Sequence, residues 1–180
     1  MPDGLLPLRL FERRYIDMVK DCFKNSSGFG VCLIKQGLET GGVSEPYPLG
    51  TTVSIVDFDQ GADGLLHITT KGQQEFRLLT YRPNDAGLLM GEIEILPPKP
   101  PVAMRPEYEL LAQKLELILS YLDTDTRFDE KQLDDADWVC YRLLEVLPLA
   151  GDAKYELLQM NTNQERLETL AALQIEIAER

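Results

Sequence analysis

The sequence predicts an α+β protein, with a small β-rich barrel in its first half and a helical bundle in its second. Three observations carry that expectation. Up to residue 96, short apolar and β-branched runs alternate with turns rich in Gly, Asp and Asn. Leu96–Pro101 (LPPKPP) then places four prolines in six residues, which suits an extended connector rather than a helix or a central strand. Beyond it, apolar residues recur at three- and four-residue spacing, the period of amphipathic helices. No strand–helix alternation of the doubly wound kind is visible. The expected organisation is a β-rich unit over 1–97, a Pro-rich linker over 98–105 and a helical unit over 106–180.

The elements follow in order. LPLRL is extended and leads into a helix over about 12–24, on which Tyr15, Ile16, Val19, Cys22 and Phe23 share a face. Asn25-Ser26-Ser27-Gly28 ends it, because Asn and Gly tolerate the left-handed conformation of a helix C-cap. Phe29 to Lys35 suits a buried strand, and the Gly- and Pro-rich segment 36–48 reads as a loop. Residues 49–58 alternate in part. Asp59 to Gly64 is turn chemistry, and 65–70, 75–81 and 88–96 complete the strands, with Lys71-Gly72-Gln73 as a turn. Five or more short strands with tight turns predict a twisted antiparallel sheet that curls into a small barrel.

In the second half, Pro106 stands near a helix start and is followed by Glu107 and Glu109, acids suited to the positive end of a helix. Leu111, Leu115, Ile118, Leu119 and Leu122 form its stripe. A second helix over about 134–147 carries Trp138, Tyr141, Leu144 and Leu147, and Pro148 stops it. Asp152 is placed to cap a short third helix, and Thr162 with Glu165 has the spacing of a capping box for the last one. Four such stripes must pack on one another or on the sheet.

Composition bounds the function. At 180 residues and 44% hydrophobic content the chain can bury a sound core, roughly 70% of its unfolded surface. No apolar run approaches the ~20 residues of a membrane-spanning helix. Arg9, Glu12, Arg13 and Arg14 interrupt any signal-peptide core, so a cytoplasmic location is expected. With 18 Lys plus Arg against 30 Asp plus Glu, the formal charge is −12, which disfavours nucleic acid and keeps the protein soluble. An acidic surface also attracts basic or unfolded clients. Cys22, Cys32 and Cys140 form no CxxC pair, so no zinc or redox site is supported, and Cys22 and Cys32 read as small buried hydrophobes.

Catalytic and cofactor patterns are missing. Gly37 to Gly42 lacks the lysine of a Walker loop, and Gly28-Phe29-Gly30 lacks the third glycine of a dinucleotide fingerprint. His67 is the single histidine, which removes HExxH chemistry. No GxSxG elbow accompanies it, so it reads as a half-exposed strand residue. Asp123-Thr124-Asp125 opens like a calcium loop, but Arg127, Phe128 and Asp134 fall where such a loop needs a ligand, a Gly and a Glu. Asp123 to Asp137 therefore reads as a solvated acidic loop. No catalytic residue, cofactor or metal is expected.

The residues that remain are a motif. Leu6 to Tyr15, LPLRLFERRY, is followed by Phe29-Gly30-Val31, Leu49-Gly50-Thr51, Asp63-Gly64, Lys71-Gly72 and Phe76-Arg77. In that order and spacing they resemble the N-terminal, substrate-recognition domain of the ATP-dependent protease Lon, a module that also occurs as small free-standing proteins. The likeness covers roughly 5–96 well. It continues more loosely through Trp138, Leu147-Pro148-Leu149, Leu157-Leu158 and Arg166-Leu167. It implies a six-stranded PUA-like pseudobarrel followed by a helical bundle, without the ATPase and protease parts. Met1-Pro2-Asp3-Gly4 stands where family members carry the end of a further apolar strand. That implies either an upstream segment or a barrel short of one edge strand, which would expose backbone to intermolecular pairing.

Within the motif, Leu8, Leu10, Phe11 and Tyr15 are expected in the core. Glu12 and Arg14 are expected to hold one another or cap local backbone, and Gly30 and Gly50 to serve turns or close approach. The resemblance implies a non-enzymatic module that binds unfolded or exposed apolar polypeptide. Tyr47, Phe58 and Tyr81, loop-proximal aromatics, are the candidate contacts. The alternatives are an adaptor for one folded partner, such as a protease, and RNA binding, which relatives of the wider PUA-like fold perform and the acidic charge opposes.

Overall fold

The computed structural model describes residues 1–38, 42, 44–122 and 131–173. They form two compact units, Met1–Pro98 and Lys99–Arg180. The class is α+β, an antiparallel sheet with one helix in the first unit and helices in the second.

The first unit runs β1 (Leu5–Leu10), α1 (Arg13–Asn25), β2 (Phe29–Gln36), β3 (Glu45–Gln60), β4 (Leu66–Pro83) and β5 (Leu89–Ile95). All pairings are antiparallel, in the order β1-β4-β3-β2, and β5 shares the edge of β4 with β1. The sheet thus has five strands among the described residues, where the family resemblance implied six. Segments 65–70 and 75–81, expected as two strands with a turn at 71–73, are one continuous strand β4. Gly72 does not turn the chain. A Cβ there would overlap the Met1 carbonyl, and Asp3 N and Gly72 N exchange hydrogen bonds with Gly72 O and Gly4 O. The glycine admits the N-terminal segment against β4.

Register shifts in β3, between Thr51 and Val53 and between Ile55 and Asp57, and one in β4 at Leu78/Thr80, bend these long strands. Ile93 of β5 and Phe29 of β2 then line one cavity although their strands are at opposite ends of the pairing order. The sheet therefore curls toward closure.

Alternation sets the core. Leu8, Ile68 and Phe58 are directly paired across β1, β4 and β3 and so share a face. Leu10 and Ile68 are buried on it against Val19 of α1, with Leu8, Tyr15, Ile16 and Ile55 packed around them. Phe11 does not join the core as expected but is 55% exposed, since β1 ends at Leu10 and the chain turns there. The left-handed residue that ends α1 is Ser26 (φ 50°), not the Asn or Gly expected, and Ser27 N donates to Cys22 O.

The second unit has a single 3₁₀ turn, Pro106–Tyr108, then α2 (Glu109–Tyr121), α3 (Ala136–Val146), α4 (Gly151–Gln159) and α5 (Asn163–Ala172). The helices α2 and α5 pack against α3, whose residues from Ala136 to Leu144 are all buried. Asp135 caps α3 through Asp137 N and Trp138 N. Thr162 and Glu165 form the expected capping box of α5. Asp152 lies inside the first turn of α4, after an Ala150 N-cap, and accepts from Ala153 N instead of capping the helix. The Pro-rich segment is tied down beyond Pro101: Met104 N donates to Asp134 O and Ala136 N to Val102 O. Most of the acidic stretch, 123–130, lies outside the described residues.

Candidate functional site

Two exposed aromatic rings meet at the rim of the first unit's core. Phe23 is in the last turn of α1, and its period would bury it, but the sheet face ends before it and leaves it 46% exposed. Phe58 shares the core face with Ile68, yet α1 reaches it only through Phe23 and it is 62% exposed. The two rings meet edge to face, with centroids 5.0 Å apart. This geometry favours aromatic pairs.

Phe23 also lines a cavity of about 660 Å³ with Cys22, Phe29, Val53, Ile55 and Ile93. A second, of about 280 Å³, lies against Phe58, Asp57, Asp59, Arg9 and His67. The ring pair therefore stands between two concavities.

The other two aromatic candidates are elsewhere. Tyr47 is near the start of β3 and Tyr81 near the end of β4, which places them at the opposite end of the sheet from Phe58. Lys35 donates to Glu45, and that hydrogen bond above all raises its pKa. Phe58 is thus brought together with Phe23, which sequence reasoning had assigned to the buried stripe, and not with Tyr47 or Tyr81.

The motif's polar residues hold backbone. Arg14 pairs with Glu12 at 2.9 Å, donates to Gly87 O at 2.8 Å and Gly42 O at 3.0 Å, and stacks over Tyr15. One guanidinium fork suits several fixed carbonyls at once. Asp63 orders the β3–β4 turn. Its Oδ1 accepts from Leu65 N, while Oδ2 is 2.7 Å from Arg9 Nε and 3.5 Å from His67 Nε2. The Leu65 amide above all, with Arg9 and His67, lowers the Asp63 pKa. His67 is half-exposed in β4, as expected. Among the described residues no group of three or more His, Cys, Asp or Glu is placed to hold a metal ion, and no helix is long and apolar enough to cross a membrane.

The family model of the ATP-dependent protease La (Lon) substrate-binding domain matches residues 1–173. The chain belongs to the Lon substrate-binding domain family. Among solved structures it is similar to a Lon N-terminal domain protein from Xanthomonas campestris, with 41% identity, TM-score 0.75, and coverage of 96% of this chain and 90% of that one. It also shares the fold of the N-terminal domain of a Mycobacterium avium complex Lon protease, at 16% identity and TM-score 0.61 over the same shares of the two chains. No curated protein matches. The Lon-type fold accounts for the motif glycines: Gly30 and Gly50 bring β2 and β3 up to the Phe76 ring, so three separated landmarks meet at one point.

Proposed function

We propose that this protein is a non-catalytic polypeptide-binding module that takes unfolded or exposed apolar segments on the Phe23–Phe58 surface. The observation that carries this reading is the exposed ring pair standing between two cavities. Single exposed apolar residues are ordinary, but two large rings in contact, beside a concavity whose lining mixes Phe29, Val53 and Ile93 with Ser26, Thr52 and Gln73, form a surface suited to an apolar partner with polar backbone. Membership of a substrate-binding family supports it, as does the acidic charge, which suits basic or unfolded clients. Tyr47 and Tyr81 serve as a second, separate contact for longer clients.

The test is fluorescence anisotropy of a labelled, permanently unfolded model protein, beside the same protein in folded form. Binding of the unfolded form alone is expected. Replacing both Phe23 and Phe58 with Ala should weaken it at least about tenfold, as for aromatic hot spots. Binding to neither form, with one stoichiometric folded partner recovered by pulldown, would replace this reading with that of an adaptor.

A further inference from the structure

The strand β2 follows β3 only as far as the pair Phe29 and Val53, whereas β4 follows it to the pair Gln60 and Leu66. From Ser54 to Gln60, one edge of β3 therefore has no strand beside it among the described residues. Gly61 N donates to Leu65 O at 2.9 Å and closes the β3–β4 hairpin. Because an antiparallel ladder alternates, Asp59 and Asp57 turn their backbone groups to β4, while Phe58 and Gln60 turn theirs to the open edge.

Both outward amides are already occupied. Phe58 N donates to Asp57 Oδ1 at 2.9 Å, and Gln60 N donates to Asp59 Oδ1 at 2.7 Å. Two carboxylate oxygens thus stand in for the carbonyls that an adjacent strand would supply at alternate positions. Charges and bulges of this kind often protect a bare edge, and β3 has a bulge here as well, at Val56. Protection alone would favour a polar surface. Instead Val56 and Phe58 are exposed on this segment, the exposed Phe23 ring of α1 meets Phe58, and the larger cavity adjoins the segment at Ser54 and Ile55.

We propose that an extended client segment docks here as an added strand. Its backbone carbonyls replace the Asp57 and Asp59 carboxylates at Phe58 N and Gln60 N, and its alternate apolar side chains lie on Phe23 and Phe58. Backbone pairing makes binding tolerant of sequence, while the two rings select apolar side chains. This deepens, and rests on, the polypeptide-binding role proposed above.

The experiment uses the full chain and a labelled ten-residue peptide alternating Phe and Ser, with two variants N-methylated at alternate residues in opposite registers. An added strand presents one set of amides to β3 and the other to solvent. Methylation in one register should therefore weaken binding about tenfold, through loss of two or more hydrogen bonds, and methylation in the other should leave it unchanged. Equal affinities, or equal losses, in both registers would overturn strand addition while leaving the polypeptide-binding role intact. No binding of the unmethylated peptide or of unfolded protein would overturn both. Asp57→Ala with Asp59→Ala, in a variant shown to be folded by circular dichroism, frees the two amides and should raise affinity several-fold. An unchanged affinity would count against the stand-in role of the carboxylates.

Discussion

The Phe76 ring occupies the space that a side chain on Gly50 would need. A Cβ on Gly50 would overlap the ring tip and stand 2.6 Å from Cys32 Sγ and 2.7 Å from the Val31 carbonyl, whereas one on Gly30 would meet only the ring, at 2.9 Å. Phe76 itself is buried. Gly50→Ala should therefore destabilise the protein by about 3 kcal/mol, the upper end for overpacking, and Gly30→Ala by about 1–2 kcal/mol. Phe76→Leu, which shortens the ring's reach, should recover part of the Gly30→Ala loss but little of the Gly50→Ala loss. Denaturant melts of the single and double variants measure this. Full recovery of both would show that the ring alone dictates the two glycines.

Arg166 is buried in the helical unit. It donates to the carbonyls of Leu157, Leu158 and Met160 at the end of α4 and to Asn163 Oδ1, and lies 3.5 Å from Asp137 Oδ1 on α3. The cation sits at the negative end of a helix and ties it to a neighbour. Arg166→Met would leave Asp137 and several carbonyls without their donor and should cost about 3–5 kcal/mol. Thr162→Ala, which removes one side of the capping box, should cost about 1 kcal/mol. Equal losses in chemical denaturation would show that the buried network adds nothing beyond a cap.

Asp63 gives a pH dependence of defined sign. Its folded pKa is lowered, by the Leu65 amide first and then by Arg9 and His67. The stability this carries is present above the carboxyl's ordinary value and is lost as pH falls through the lower, folded one. In Asp63→Asn the side-chain oxygen still accepts from Leu65 N, but the charge is gone. The variant should be less stable than the parent above the ordinary carboxyl value, and the difference should shrink as pH falls through the lowered, folded one. Parallel stability curves across that window would remove Asp63 as the source.

The thiols should resist modification. Burial pushes the Cys140 pKa up to about 12 and the Cys32 pKa up to about 11, and Cys22 is on the buried face of α1. Since the thiolate is the reactive species, a native sample at pH 8 should react slowly with an aromatic disulfide reagent, while a denatured one releases all three equivalents at once. Rapid reaction of the native protein would indicate frequent opening of the sheet or of α3.

What the amino-acid sequence determined by itself is local. Helical period located α1 to α5 closely, because side chains three and four apart must share a face. The capping box at Thr162 needs only four neighbouring residues. The motif order identified the fold because its glycines and Phe76 answer one packing constraint. Tertiary structure decided what covers each face and edge. Phe23 carries the same period as Val19, but one is at the rim and the other at the centre, and only the reach of the sheet separates them. Residues 71–73 read as a turn because glycine permits one, yet pairing with β1 and β3 draws them into a continuous strand. Tyr47, Tyr81 and Phe58 looked alike as aromatics near loops, but register places them at opposite ends of the sheet. The open edge from Ser54 to Gln60 exists because β2 stops at Phe29. That is a relation between strands far apart in the chain, which no local pattern encodes.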